Sequence, residues 1–228
     1  MKIIFVRHGH PDYSTDSLTE EGHKQAEAAA ARLAEAGITR IVSSTSGRAY
    51  QTAEHTAKRL GLPIEAYDFM REVGWNTPNA TDEEKAYFHP WRAGERLQKE
   101  YGSLLLPDYD TLDVWHDRPI EAHCRRVITG FDEWMAKMGY QREGAGYRAV
   151  APNDEVVALF SHGGSSTVVM AHLLGLPPFF MFGHCPLAFT AFSAFTFTGA
   201  PGERIFIKCG SFNDAYHIAH PIPNVFGE

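Results

Sequence analysis

Three times in this chain a short apolar run ends in a polar turn and gives way to a helix, and that repeat constrains the fold more than any other feature. Lys2 to Val6 runs into Arg7-His8-Gly9 and, beyond it, an alanine-rich helical segment that starts at Thr19 and continues to Gly37. Ile38 to Ser43 runs into Ser44-Thr45-Ser46-Gly47 and a helix from about Arg48 to Leu60, where Ala49, Ala53, Thr56 and Leu60 recur at helical spacing. Val156 to Phe160 runs into Ser161-His162-Gly163-Gly164 and an apolar helix that stops at Gly175. Parallel strands need crossover helices that cover both sheet faces, so the pattern predicts a three-layer α/β/α sandwich with a largely parallel central sheet.

Smaller elements fill in around that frame. Thr19, followed by Glu20 and Glu21, is an N-cap candidate. Ile64 to Tyr67 is a third strand after the Gly61-Leu62-Pro63 stop, and Ile120 to Met138 is a long helix with Val127, Phe131, Trp134 and Met138 on one face. Ala188 to Phe197 and Arg204 to Cys209 are two further strands joined by the Gly199 to Gly202 turn. The stretch from Asn76 to about Arg118 breaks the alternation and carries Tyr87, Phe88, Trp91, Tyr101, Tyr109 and Trp115. It is expected to be a mostly helical insertion, a lid in a single domain spanning residues 1–228. Gly139 to Asn153, rich in glycine and charge, is expected to be a surface excursion.

Composition narrows the partners. A formal net charge of -7 disfavours nucleic-acid backbones and anionic membrane surfaces, both of which are bound through excess Lys and Arg. Cys124, Cys185 and Cys209 are odd in number and form no CxxC pair, which fits a reducing, cytoplasmic setting better than a disulfide framework. The apolar run before Arg7 is too short for a signal peptide or a membrane span. His89, His116, His123, His172, His184, His217 and His220 form no HxxxH or HExxH group, so no metal or other cofactor is expected. A homodimer is the default for a soluble enzyme of this size.

In open α/β sheets ligands bind beyond the carboxyl ends of the strands. Arg7-His8-Gly9, Ser43 to Arg48 and His162-Gly163 each follow a predicted strand, which places two guanidiniums, two imidazoles and several helix N-termini on one edge. That is the chemistry of a phosphate site: Arg gives bidentate hydrogen bonds, free N–H groups add partial positive charge, and a neutral imidazole is a nucleophile near neutral pH.

Arg7-His8-Gly9 resembles the RHG signature of the histidine phosphatase, or phosphoglycerate mutase-like, superfamily. Leu18-Thr19-Glu20-Glu21-Gly22 with Gln25-Ala26, the segment from Ser43 to Ala53, and Ser161 to Gly164 resemble that family's other landmarks in order and spacing. The resemblance implies that His8 is a nucleophile that becomes phosphohistidine. It implies that Arg7, Arg48, His162 and Gly163 bind the phosphate, and that Glu72 is the proton donor, with Asp68 and Asp12 as substitutes. Ser14 stands six residues after His8, where mutase-like members carry a phosphate-contacting asparagine, and it keeps one hydrogen bond for that role. The segment between His8 and Leu18 lacks the Arg-Phe-x-Gly-Trp stretch of glycolytic mutases. The expected activity is therefore a metal-independent phosphomonoesterase acting on a small phosphorylated metabolite, with a mutase or a non-catalytic phosphate-ester-binding protein as alternatives. The aromatic insertion suggests a bulky or planar leaving group.

Overall fold

The computed structural model describes residues 1–218; His220, among the histidines weighed above, lies outside the described residues. The elements in chain order are β1 (Lys2–Arg7), β2 (Pro11–Asp12), β3 (Ser17–Leu18), α1 (Glu20–Leu33), β4 (Arg40–Ser44), α2 (Gly47–Leu60) and β5 (Ile64–Tyr67). They continue with α3 (Asp82–Tyr87), α4 (Pro90–Tyr101), α5 (Pro119–Lys137), β6 (Tyr140–Glu143), β7 (Gly146–Ala149) and β8 (Val156–Ser161). The last are α6 (Gly163–Leu174), α7 (Pro178–His184), β9 (Phe192–Thr198) and β10 (Phe206–Asp214).

Six strands form the central sheet in the order β10-β9-β1-β8-β4-β5. β1, β8, β4 and β5 run parallel, while β9 and β10 add an antiparallel edge. Strand side chains alternate between faces, so β1 sends Ile3 and Phe5 to one core and Ile4 and Val6 to the other. The Ile4 and Val6 face is covered by Ala29 and Leu33 of α1 and Ala53 of α2. The opposite, larger core takes in Val127 and Phe131 of α5, Val168 and Val169 of α6, and Phe179 and Phe182 of α7. Helix α6 is buried along nearly its whole length, which is why its sequence is apolar on all sides.

Local chemistry sets the helix ends. Thr19 accepts a hydrogen bond from the Gly22 N–H at 3.1 Å and starts α1. Gly61 and Gly175 end α2 and α6 in the left-handed region, with φ of 67° and 66°.

The segment from Gly139 to Asn153 corrects an expectation. It contains the antiparallel hairpin β6–β7, turning at Gly144 with φ of 59°, and it buries Tyr140 and Tyr147 in the larger core. The Tyr147 hydroxyl donates to Asp132 on α5, which ties the hairpin down. The insertion consists of α3, α4 and a 3-10 turn at Tyr109–Thr111 joined by irregular chain. It is held to the core where α4 crosses α7: a Cβ on Gly94 would lie 2.8 Å from the Gly183 Cα, so the two backbones meet at glycines. Arg96 lies over the Tyr87 ring and Arg118 over the Phe88 ring, at 3.5 and 3.4 Å from the centroids.

Candidate active site

Parallel pairing brings the carboxyl ends of β1, β8 and β4 to one edge, with Arg7 opposite Ser161 and Ser43 opposite Phe160. The backbone extends this register one step, as the His8 N–H donates to the Ser161 carbonyl at 2.9 Å. The loops beyond are locked by close approaches. A Cβ on Gly9 would stand 2.6 Å from the Gly22 carbonyl oxygen, and one on Gly22 would stand 2.2 Å from that of His10. Gln25 accepts the His10 N–H at 2.8 Å, Gln51 accepts the Leu18 N–H at 2.7 Å, and Thr52 accepts the Gly9 N–H at 3.1 Å. The conspicuous glycine, glutamine and threonine positions of the sequence thus hold the His8 loop against α1 and α2.

Two hydrogen bonds define the His8 tautomer. Its Nδ1 is 2.7 Å from the Gly9 carbonyl oxygen, which can only accept, so Nδ1 carries the proton. Its Nε2 is left with a lone pair and accepts from Arg48 Nε at 3.3 Å. Burial, followed by His162, Arg7 and Arg48, holds the His8 pKa well below the ordinary 6.5, so the ring is neutral.

His162 lies edge-on to His8 with ring centroids 5.2 Å apart. Its Nε2 is 3.0 Å from the Ser44 hydroxyl, and its Nδ1 is buried with no partner among the described residues. Burial first, then Arg48 and Arg7, pushes the His162 pKa well down as well. Arg7 is fixed by donating from Nη1 to the Leu187 carbonyl, and its guanidinium rests 4.1 Å from the Phe189 ring centroid, while Nε is buried and unpartnered. Gly163 opens α6 beside it, and a Cβ there would be 3.5 Å from Arg7 Nε.

Glu72 reaches the same edge from the chain after β5. Its carboxylate accepts the N–H groups of Ser165 and Val73 at 2.9 Å and of Gly164 at 3.2 Å, capping the start of α6. Its proposed substitutes are committed elsewhere: Asp68 accepts from Thr45, and Asp12 accepts from Ser14. Ser14 itself stands apart from the cluster. It is exposed, and both its N–H and its hydroxyl go to Asp12, at 2.9 and 2.6 Å, in a local turn.

Four further contributors complete the site, of which only Trp91 was expected from sequence, as part of the aromatic lid. Asp16 pairs with Arg48 Nη1, accepts the Gly47 N–H at 2.8 Å, and adopts φ of 51° to do so. Ser44 orients His162. Phe189 packs against Arg7, His8 and His10 from the loop before β9. Trp91 brings the insertion to within 3.7 Å of a Cβ built on Gly163. Of the other three, Asp16 lies between two of the motifs and Ser44 within one, whereas Phe189 had no signal.

The remaining histidines have separate surroundings: His172 contacts Asp132, His23 contacts His55, and His217 contacts Thr190. His116, Asp117 and Glu121 offer ligand atoms within 4.8 Å of one another, on the surface at the start of α5, where Glu121 is paired with Arg125. Among the described residues no helix is long and apolar enough to cross a membrane.

The chain is similar to known proteins over most of its length. A protein of Escherichia coli O1:K1 named as a probable phosphoglycerate mutase, GpmB, is 32% identical over 149 residues, covering 57% of this chain and 66%, just under two-thirds, of that protein. The protein of the same name from Yersinia enterocolitica is 26% identical over 189 residues, 78% of this chain and 77% of its own. Among solved structures, a mycobacterial glucosyl-3-phosphoglycerate phosphatase complexed with VO3 superposes with a TM-score of 0.63 at 24% identity, covering 93% of this chain and 99% of that one. Phosphoserine phosphatase from Entamoeba histolytica in complex with 3-phosphoglyceric acid gives 0.64 at 21% identity, covering 95% and 98%. These structural likenesses establish the shared fold. The family model of the histidine phosphatase superfamily (branch 1) matches residues 3–203, and with this edge of histidines and arginines in place the chain belongs to that superfamily.

Proposed function

We propose that the protein is a phosphomonoesterase that acts on a small phosphorylated metabolite through a phosphohistidine at His8. The single observation that carries this reading is the His8 tautomer: Nδ1–H is spent on the Gly9 carbonyl, so the Nε2 lone pair faces the guanidinium of Arg48. A phosphate placed there satisfies two buried atoms of the site that have no partner among the described residues, Arg7 Nε and His162 Nδ1. Nε2 attacks phosphorus as the ester P–O bond breaks, and Arg7, Arg48, His162 and the Gly163 end of α6 hold the charge on the non-bridging oxygens. Glu72 acts as the general acid that gives a proton to the departing alkoxide. It then takes one from the water that cleaves the P–N bond, releasing inorganic phosphate and restoring His8. Arg7 and Arg48 supply the positive charge and His162 a hydrogen bond, so this route uses no metal ion.

Phosphate release from a panel of phosphomonoesters, with chelator present, tests the proposal. Turnover by the wild type that vanishes in His8→Ala, with acid-labile phosphate trapped on the wild-type protein, is the expected result. Retained activity in His8→Ala overturns it. The relatives named as probable phosphoglycerate mutases favour a second reading, in which the phosphoenzyme returns phosphate to another hydroxyl; isomerised product with little free phosphate would select it.

A further inference from the structure

The insertion places a cluster of three rings beside the phosphate site. Trp75 follows Glu72 by three residues, and His89 and Trp91 flank the start of α4. Trp75 and His89 have ring centroids 4.6 Å apart, His89 and Trp91 5.2 Å, and the two indoles 6.2 Å. Trp91 is the ring that comes within 3.7 Å of a Cβ built on Gly163, so the cluster adjoins the start of α6, beside Arg7 and the Glu72 carboxylate.

A purely structural aromatic cluster pairs its polar atoms or turns them to water. Here Trp75 Nε1 and His89 Nδ1 are both buried and have no partner among the described residues. The cluster's own ring faces carry no formal charge: burial, then Arg92, lowers the His89 pKa and keeps that ring neutral. Of the insertion's arginines, Arg96 and Arg118 lie over Tyr87 and Phe88, while Arg92 is exposed and acts on His89. Arg126, at the base of the insertion, donates to the carbonyls of Arg71 and Glu72. The three rings themselves hold no charge that would neutralise a carboxylate on the leaving group.

We propose that Trp75, His89 and Trp91 form the leaving-group subsite, and that they select phosphate esters of an uncharged, ring-bearing alcohol with a hydrogen-bond acceptor for the Trp75 N–H. The proposal rests on the phosphomonoesterase reading above and adds the substrate class. A sugar ring, with C–H faces and hydroxyls, and a heteroaromatic base on a ribose share this chemistry. Acyclic, carboxylate-bearing esters lack it.

The test compares primary alkyl phosphates, so that leaving-group reactivity is matched: glucose 6-phosphate and adenosine 5′-monophosphate against glycerol 3-phosphate and phosphoserine. Wild-type kcat/KM is expected to favour a ring-bearing ester by about tenfold or more, from ring contact plus one or two hydrogen bonds. Which of the two ring-bearing esters leads identifies a sugar or a base. Trp75→Phe keeps a ring and removes the N–H, and His89→Leu removes the second polar atom; each should pull the ring-to-acyclic ratio down about fivefold or more. Calorimetric binding of the same four esters to His8→Ala protein, alone and combined with Trp75→Phe, gives the ratio independently of turnover. A ratio near one in wild-type and His8→Ala proteins, a preference for phosphoserine, or a ratio unmoved by both subsite variants overturns the subsite. His8-dependent release with no ring preference sinks this inference alone, whereas His8-independent release sinks the phosphohistidine reading.

Discussion

Acid should unfold this protein through its imidazoles before it protonates its carboxylates. His8 and His162 are buried to 2% and 0% exposure, and burial together with neighbouring arginines holds both pKa values well below 6.5. In the unfolded chain each ring takes up a proton as the pH falls through 6.5, while in the folded protein it does not. Folding stability is therefore complete above that pH and is lost below it, by about 1.4 kcal/mol per pH unit for each ring that stays neutral. Over the 1.5 units from 6.5 to 5 this amounts to about 2 kcal/mol per ring, a large share of the ~5–15 kcal/mol that separates folded from unfolded domains. Other depressed histidines add to the slope, notably His217, held down to about 4 by burial and then Arg32. The clean quantity is thus the difference between wild type and His8→Asn, in urea titrations at pH 7.5 and pH 5. Wild type should lose about 2 kcal/mol more than the variant between the two conditions. Equal losses would show that His8 protonates freely in the folded state and would refute the buried neutral nucleophile.

Two further outcomes follow from the geometry. Gly22→Ala drives a Cβ to 2.2 Å from a backbone oxygen that cannot swing aside, so it should destabilise by about 3 kcal/mol in the same titrations. Gly146→Ala, with nothing within 4 Å of its Cβ, should change stability by less than about 1 kcal/mol; similar effects at both sites would contradict the packing of the His8 loop. Glu72→Gln should lower kcat about 10²-fold or more for alkyl phosphates and much less for nitrophenyl phosphate, whose leaving group departs without a proton. Equal losses on both substrates would assign Glu72 to the capping of α6 rather than to proton transfer.

Much of this was legible in the sequence because strand, turn and helix follow one another with little intervening chain. The three apolar runs and their turns located the shared edge, and Arg7, His8, Arg48, His162 and Gly163 do meet there, with Glu72 beside them. Features made by distant chain were not legible. Nothing around Phe189 marks it as a platform for Arg7, because that contact depends on where the loop before β9 passes over β1. The β6–β7 hairpin was hidden because Gln141, Arg142 and Glu143 are polar and its burial rests on Tyr140, Tyr147 and Ala149. Ser14 was read by its distance from His8, whereas its hydroxyl donates to Asp12 two residues away, a local turn that the spacing did not reveal.

The pairing of β1 with β8 has a consequence beyond the fold. Because His8 and His162 each follow directly from neighbouring strands in fixed register, their separation is ruled by peptide geometry rather than by side-chain packing. That ladder sets the backbone spacing of the histidine pair, while the loop contacts and Ser44 set the rings. The insertion enters the chain after β5, at the far edge of the sheet, where lengthening or replacing it leaves that ladder untouched. Such an architecture would let the proposed phosphate chemistry persist while the choice of alcohol drifts, and a chimaera that exchanges only residues 76–118 should shift selectivity while still forming the proposed phosphohistidine.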